Sequence, residues 1–469
     1  MNPLSINAGD IAAVIGGRLV SGEPGQPVGR ISIDSRSIAA GDLFVAIRGD
    51  RFDGHQFVAE ALAHGAMGAL VGEAPSVPAT SALPVPVLIR AGDTTRALQD
   101  LARDVRRRSG ARVVAITGSA GKTTTKEIAA DFLSARHRVF RNKGNLNNHI
   151  GLPLSLLELR TRPEVAVVEL GMNHPGEIRT LVGISEPDVR VWTNVGDAHL
   201  GFFASPDGIA EAKAEILEGG RPSDVLVANA NDARVMRHAS AFAGRTVTFG
   251  FDTPADVQAT SVELRGLLGT RARLRTQAGE AVIETALLGL GNLSNVLAAT
   301  AVALHFEVPL ADVIERAARL RPAPHRGELL RLPGGITLLD DSYNSSPAAL
   351  KRALETVAAS TGSARKIAIL GEMLELGPHA ERLHAECGRA AAGAGIDLLI
   401  AVGGAPARAL ADAAVDAGIP PHCVSYTATN HEAADLALQR VRPGDLILVK
   451  GSRGIGTDLV VERLKAEFA

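Results

Sequence analysis

Residues 113–128 read VVAITGSAGKTTTKEI. A β-branched run, Val113–Thr117, passes directly into Gly118-Ser119-Ala120-Gly121, and Lys122-Thr123-Thr124 then opens a helical pattern. Strand, glycine loop and helix in that order make a phosphate cradle. The glycines let backbone N–H groups approach phosphate oxygens, Lys122 reaches the outer phosphates, and the Thr123 hydroxyl suits a Mg²⁺ ligand. The full phosphate-loop pattern is G-x-x-x-x-G-K-[ST]; Ile116 holds the first glycine position, so the loop is the shorter G-x-x-G-K-T. The plain alternative is a glycine turn that happens to precede a helix. The arrival of lysine and two threonines in register favours phosphate binding.

Outward from this loop, Val165–Glu169, Val189–Val195 and Val225–Ala228 are further short apolar runs, each followed by a turn and a helical pattern. Ile336–Leu339, Ile367–Leu370, Leu398–Val402 and Leu446–Val449 repeat the style in the last third, where Ser345 or Ser346 is placed to cap a helix with Pro347 at its first position. Runs without polar alternation, separated by helices, predict a parallel sheet buried on both faces, and so an α/β fold. Two proline-rich stretches, residues 75–87 and 319–327, suggest domain boundaries. Arg106, Arg107 and Arg108 close a helical pattern before Gly110, where the helix dipole favours cations.

At 469 residues the chain exceeds the ~250–300 at which single cores stop growing, which predicts several domains. Hydrophobic residues at 46% and charged residues at 21% are globular values. A formal net charge of −2 supplies no basic field for nucleic acid, and 3% aromatics leave few stacking platforms. Cys387 and Cys423 are the two cysteines and make no disulfide framework. No basic segment followed by an apolar run opens the sequence, and no stretch approaches the ~18 apolar residues of a membrane span. The expectation is a cytoplasmic protein with neither nucleic-acid binding nor membrane insertion.

Three further residues stand out. Glu169 ends its strand where open α/β sheets bind ligands, and could hold Mg²⁺ or merely cap a helix. His199, in GDAHLGFF, emerges after another strand; taken alone it reads as structural. Lys213 has Ile209, Ala210, Ile216 and Leu217 at helical spacing, with Glu211 and Glu215 on other faces. Such a lysine either snorkels or is held neutral, and a neutral amine can take up CO₂ as a carbamate; from the residues alone, snorkelling is preferred.

Together DSRSIAAGDLFVAIRGDRFDGHQF, TGSAGKTTTKE, GNLNNHIGLP, ELGMNHPGEI, AHLGFF, AKAEIL, LDDSYNSSP, LGEMLELG and VKGSR resemble the Mur ligase family of ATP-dependent amide ligases, over essentially the whole chain. GNLNN, ELGMNHPGEI and DDSYN resemble the branch that adds a dipeptide. The resemblance implies three domains: a small N-terminal α/β domain for a UDP-sugar peptide (1–91), a central P-loop ATPase with a mostly parallel sheet (92–322), and a C-terminal Rossmann-like α/β domain (323–469). It implies ATP, two Mg²⁺ and a monomer, with UDP-N-acetylmuramoyl-tripeptide and D-alanyl-D-alanine as substrates. Gly118, Ser119, Ala120, Gly121, Lys122, Thr123 and Thr124 would cradle ATP, with Thr123 and Glu169 near the first Mg²⁺. The family's carbamylated lysine falls on Lys213, which reverses the snorkelling preference; with His199 it would serve the second Mg²⁺. Asn295 would contact adenine, and Arg326, Asp341, Tyr343 and Asn344 would close on the nucleotide. Ser35, Arg36, Asn145, Asn147 and Asn148 would line the UDP-sugar peptide. Lys450 and Arg453 would meet phosphate or the dipeptide. The chain departs from the family at Gly291, commonly histidine, and at His325, usually glycine. A folate-polyglutamylating or other muramyl ligase, a P-loop kinase and a nucleotide switch are the competing readings.

Overall fold

The computed structural model describes residues 3–49, 52–72, 85–197, 200–203 and 205–468. The chain forms two compact units, one from Met1–Ala115 and His137–Arg190, the other from Ile116–Arg136 and Val191–Ala469.

The first unit contains a five-stranded sheet in the order Arg18–Ser21, Val87–Arg90, Gly68–Val71, Leu43–Val45, Ile31–Ser32. Its first pair is antiparallel and the rest are parallel. Phe44, Ala46, Val58, Ala61 and Val71 form the core beneath it. Because Val87–Arg90 lies inside this sheet, the proline-rich stretch 75–87 is not a domain edge; its residues 75–84 lie outside the described residues. Val139–Arg141 and Val165–Glu169 pair in parallel in the same unit. Arg160, in the 3-10 turn Glu158–Thr161, ties the chain's beginning to this unit: its backbone carbonyl accepts from Leu4 N–H (2.8 Å) and its Nη2 donates to Val28 O (2.9 Å).

Helix Thr94–Ser109 starts where Asp93 accepts from Thr95 and Arg96 N–H, and it ends at Gly110 in the left-handed region (φ 71°), as the sequence predicts. The arginine run does more than answer its own helix dipole. Arg106 donates to Ser185 O (2.8 Å), Glu186 O (2.7 Å) and Asp188 Oδ2 (2.8 Å), so it closes the C-terminus of helix Glu177–Ser185. Arg103 and Arg107 both pair with Glu186.

In the second unit Val225–Asn229, Arg245–Phe251 and Val257–Leu264 pair in parallel. Thr270–Thr276 and Gly279–Thr285 extend that sheet as an antiparallel hairpin that the parallel pattern does not anticipate. Thr270–Thr276 alternates buried and exposed residues, as expected of a sheet with one wet face. Strands Arg112–Thr117 and Val189–Trp192 each begin in the first unit and end in the second. Val189–Trp192 is shorter than the Val189–Val195 expected, because residues 193–196 leave the strand to hold the phosphate loop.

The chain's last third is a six-stranded sheet in the order Glu328–Leu332, Ile336–Asp341, Leu446–Lys450, Lys366–Gly371, Leu398–Val402, Val424–Thr427. All neighbours are parallel except the first pair. Leu338, Ile367, Ile369, Ile400, Ile447 and Val449 fill its core, giving the Rossmann-like arrangement expected. Helix Pro347–Ala358 has Ser346 as its N-cap residue and proline at its start, although neither Ser345 nor Ser346 makes the expected capping bond.

Arg107, then Arg103, holds the Glu186 carboxyl down at about 2, against an ordinary 4.5. Its folded pKa is depressed, so its stabilisation is present above the ordinary value and is lost as pH falls through it towards 2. Glu186→Gln should lower the urea midpoint near neutrality, and the gap from wild type should close as pH falls from about 5 to about 2. A gap that does not change with pH would show that the ion pairs contribute nothing.

Candidate active site

The phosphate loop is built by exclusion of side chains at two points. A Cβ on Gly118 (φ 151°) would lie 1.9 Å from Thr193 Oγ1, and one on Gly121 (φ 82°) would lie 2.2 Å from Asn295 Oδ1. Only glycine fits either position, and Gly121 in the left-handed region starts helix Lys122–Leu133. The segment after Val189–Trp192 grips the loop from behind. Asn194 O accepts from Ser119 N–H (3.0 Å), and Asn194 Oδ1 accepts from Ala120 N–H (2.9 Å). Asn194 Nδ2 and Thr193 Oγ1 both donate to Ala120 O, at 3.0 and 2.7 Å. Gly196 N–H donates to Ser119 Oγ (2.9 Å). Lys122 folds back so that Nζ donates to Gly118 O (2.8 Å), while Thr123 and Thr124 occupy the first helical turn.

Asn295 belongs to helix Gly289–His305 and backs onto this loop rather than standing open: Thr125 Oγ1 donates to its Oδ1 (3.2 Å), and its Nδ2 donates to Asn292 Oδ1 (3.3 Å). Lys213 closes helix Pro206–Ala214, whose first turn is capped by Ser205. At 1% exposure it does not reach water, so snorkelling is excluded. His199 lies outside the described residues.

In the first unit Glu169 is buried at the end of its strand and oriented by two asparagines. Asn147 Nδ2 donates to Glu169 Oε1 (2.8 Å), and Glu169 N–H donates to Asn142 Oδ1 (3.1 Å). Asn147 is half-buried and gives one of its amide donors to this carboxylate. Asn148 Oδ1 accepts from Gly151 N–H (2.8 Å) at the start of helix Gly151–Leu157, and Asn145 is exposed. Ser35 and Arg36 form a short 3-10 turn capped by Asp34, to which the exposed Arg36 guanidinium is paired.

The residues after Ile336–Asp341 form a compact cluster in the second unit. Buried Lys450 donates through Nζ to Asp341 Oδ2 (2.6 Å) and to Asn344 O (2.9 Å). Arg326 lies 3.9 Å over the Tyr343 ring and Arg453 lies 5.5 Å from its centre, so four of the expected nucleotide residues and both VKGSR cations meet. His325 occupies the left-handed region (φ 61°), which explains why glycine suits this position; its Nδ1 is 2.8 Å from Asp340 Oδ2. Buried Asp340 also accepts from Ser342 N–H (3.1 Å) and Oγ (2.6 Å).

Sequence reasoning missed Thr193, Asn194, Asn142 and Asp340. The one available signal was the polar pair Thr193-Asn194 directly after an apolar strand.

Three family models match the chain in succession: the Mur ligase family catalytic domain over residues 27–106, the Mur ligase middle domain over 116–303, and the Mur ligase glutamate ligase domain over 325–453. The chain belongs to the Mur ligase family, whose members are ATP-dependent ligases. Within it, the chain is 33% identical, over 97% of both chains, to the UDP-N-acetylmuramoyl-tripeptide–D-alanyl-D-alanine ligase of Bacillus subtilis. It is 34% identical to the enzyme of the same name from Escherichia coli, over 98% of this chain and 99% of that one. Its fold matches MurF from Acinetobacter baumannii with a TM-score of 0.88 at 31% identity, covering 99% and 100% of the two chains. MurF ligase from Thermotoga maritima in complex with ADP matches with a TM-score of 0.81 at 29% identity, covering 94% and 97%.

A non-glycine residue in the left-handed region costs roughly 1–2 kcal/mol. His325→Ala and His325→Gly both remove the imidazole from Asp340, but only the glycine relieves the backbone. Chemical denaturation should therefore find His325→Ala less stable than His325→Gly by about 1 kcal/mol. Equal stabilities would show that the backbone at 325 is unstrained.

Proposed function

We propose that this chain is the ligase that joins D-alanyl-D-alanine to UDP-N-acetylmuramoyl-tripeptide, with ATP converted to ADP and phosphate, as a step in making peptidoglycan precursor. The observation that carries this reading is the full-length likeness to relatives of that name, at 33–34% identity over 97–98% of the chain. The phosphate loop supports the nucleotide part, as does the ADP complex of the Thermotoga neighbour. The proposed division is 1–91 for the UDP-sugar peptide, 92–322 for ATP, and 323–469 for closing on ATP and taking the dipeptide. A cytoplasmic monomer fits this role, and no helix among the described residues is long and apolar enough to cross a membrane.

A carboxylate condenses with an amine only after one of its oxygens becomes a leaving group. The γ-phosphoryl passes to the terminal carboxylate of the tripeptide, giving an acyl phosphate and ADP. The free amine of the dipeptide then attacks the acyl carbon, the amine proton is lost, and phosphate departs from the tetrahedral intermediate. Two anions meet in the first step. Lys122, now resting on the Gly118 carbonyl, exchanges that contact for phosphate oxygens, and the loop N–H groups orient them.

Hard oxygen donors suit Mg²⁺, which is usually held by one or two carboxylates together with phosphates. The Thr123 hydroxyl and the buried Glu169 carboxylate are each a donor of that kind, and Asn147 holds the carboxylate in one orientation. When bound, Mg²⁺ neutralises phosphate charge. Buried Lys213 suits the carbamate role: as the neutral amine it adds to the carbon of CO₂ and loses a proton, giving carboxylate oxygens in place of an ammonium. With His199 these would serve the second Mg²⁺. Ser35, Arg36, Asn145, Asn147 and Asn148 are the proposed contacts to the UDP-sugar peptide. Arg326, Asp341, Tyr343, Asn344 and Asn295 are assigned to ATP, and Lys450 and Arg453 to phosphate or the dipeptide.

Phosphate release measured with ATP, Mg²⁺ and UDP-N-acetylmuramoyl-tripeptide, with and without D-alanyl-D-alanine, tests the function. Release should require both substrates and yield a product heavier by the dipeptide residue mass. Release indifferent to the dipeptide would point to another acceptor.

Lys213→Ala should lose most of the turnover, and added formate or acetate should restore part of it. Near-normal turnover without either additive would rule out the carbamate.

A further inference from the structure

Helix Pro347–Ala358 of the C-terminal part lies against the start of helix Gly289–His305, and glycines make the seam possible. A Cβ on Gly289 would be 3.1 Å from Thr356 Oγ1, and one on Gly291 would be 3.3 Å from Arg352 Nε and 3.6 Å from its Cδ. Arg352 and Thr356 are one helical turn apart and meet two glycines that are two residues apart. The Arg352 stem thus occupies the space that a side chain at 291 would take.

Gly291 and Asn295 are four residues apart and share one face of helix Gly289–His305, separated by roughly 6 Å along its axis at 1.5 Å per residue. Asn295 is the residue against Gly121 of the phosphate loop. Arg352 therefore lies one turn from the loop, on the face that touches it. Its position next to the first turn of a helix is electrostatically unfavourable for a cation, because that end of the helix dipole is itself positive. Lys122 adds another positive charge at the start of the neighbouring helix Lys122–Leu133.

Only the longer-range charges of Asp341 and Glu355 offset this among the described residues, and neither pairs with the guanidinium. Among the described residues Arg352 has no hydrogen bond, ion pair or ring contact through its guanidinium, although Asp341 and Glu355 are near enough to act on it at longer range. Asp341 is instead paired with Lys450. Burial depresses the Arg352 pKa below the ordinary guanidinium value. A partly buried guanidinium with five donors and no acceptor is uncommon unless a ligand supplies the acceptors or a π face.

We propose that Arg352 is a nucleotide-binding residue, which reaches ATP or ADP from the C-terminal helix Pro347–Ala358 beside Gly291. The bound polyanion supplies the direct partner that the described residues do not. Nucleotide occupancy then favours the docked arrangement of that helix on helix Gly289–His305. The inference rests on the nucleotide part of the proposed function and is independent of which amine is the acceptor.

Calorimetric titration of the full chain with ADP and Mg²⁺ tests it, with Arg352→Ala, Arg352→Gln and Arg352→Lys compared with wild type. Arg352→Ala and Arg352→Gln should weaken ADP binding tenfold or more, and Arg352→Lys by less. The thermal midpoint without nucleotide should stay level or rise, since each neutral variant removes an unpaired, partly desolvated charge. ADP affinity within twofold of wild type in Arg352→Gln would overturn the proposal. So would weakened binding that tracks a lowered midpoint across the variants, which a purely structural arginine would give. Wild-type protein that binds ADP yet makes no dipeptide product would refute the acceptor assignment and leave Arg352 where it is. Failure of wild type to bind ADP would refute the nucleotide reading itself.

Discussion

Two places in the phosphate loop have no room for a Cβ, and the site is organised around that constraint. Thr193 presses on Gly118 and Asn295 presses on Gly121, so the loop is fixed from a neighbouring strand end and from a helix some 170 residues later in sequence. The loop's backbone bonds to Asn194 and the Ser119 hydroxyl's bond to Gly196 complete the clamp. A loop held this firmly presents its N–H groups without first having to be ordered, which is the physical advantage of preorganisation. Strand Val189–Trp192 ends early because its next residues are used for this purpose.

A similar division of roles recurs in the C-terminal part. Asp340 and Asp341 are adjacent, yet they face different tasks. Asp340 is buried and satisfied by His325 and by Ser342, and so fixes the turn that carries Arg326 and Tyr343. Asp341 is held by Lys450, which also bonds to Asn344 O and draws the strand end Leu446–Lys450 into the cluster. A histidine can stand in the left-handed conformation at 325 because its ring has a buried carboxylate to meet. Arg352 is the contrasting case, a cation near these groups that none of them pairs with directly.

Much of this is legible in the sequence. The phosphate loop, the strand-and-helix alternation, the helix opening at Pro347 and the left-handed Gly110 all follow from local pattern, because each depends on residues within a few positions of one another. The antiparallel hairpin Thr270–Thr276 and Gly279–Thr285 is not, since the parallel runs before it dominate the pattern. The proline-rich stretch 75–87 misleads for a related reason: prolines mark a break in hydrogen bonding but do not say whether the chain returns to the same sheet. The Arg106–Arg108 run reads as a dipole effect, whereas Arg106 directs its donors to the end of another helix.

Nucleotide chemistry, α/β class and family are all written in short segments of the chain, because spacing within such segments encodes backbone geometry directly. No such segment says that Asn147 turns to Glu169, that Asn295 presses against Gly121, or that Lys213 is cut off from water. Nor does any of them place Arg352 beside Gly291 with no carboxylate paired to it. These are decided by contacts between residues distant in the chain. Whether a polar group is satisfied, buried or crowded depends on what the fold brings to it, and that information exists only once the chain is packed.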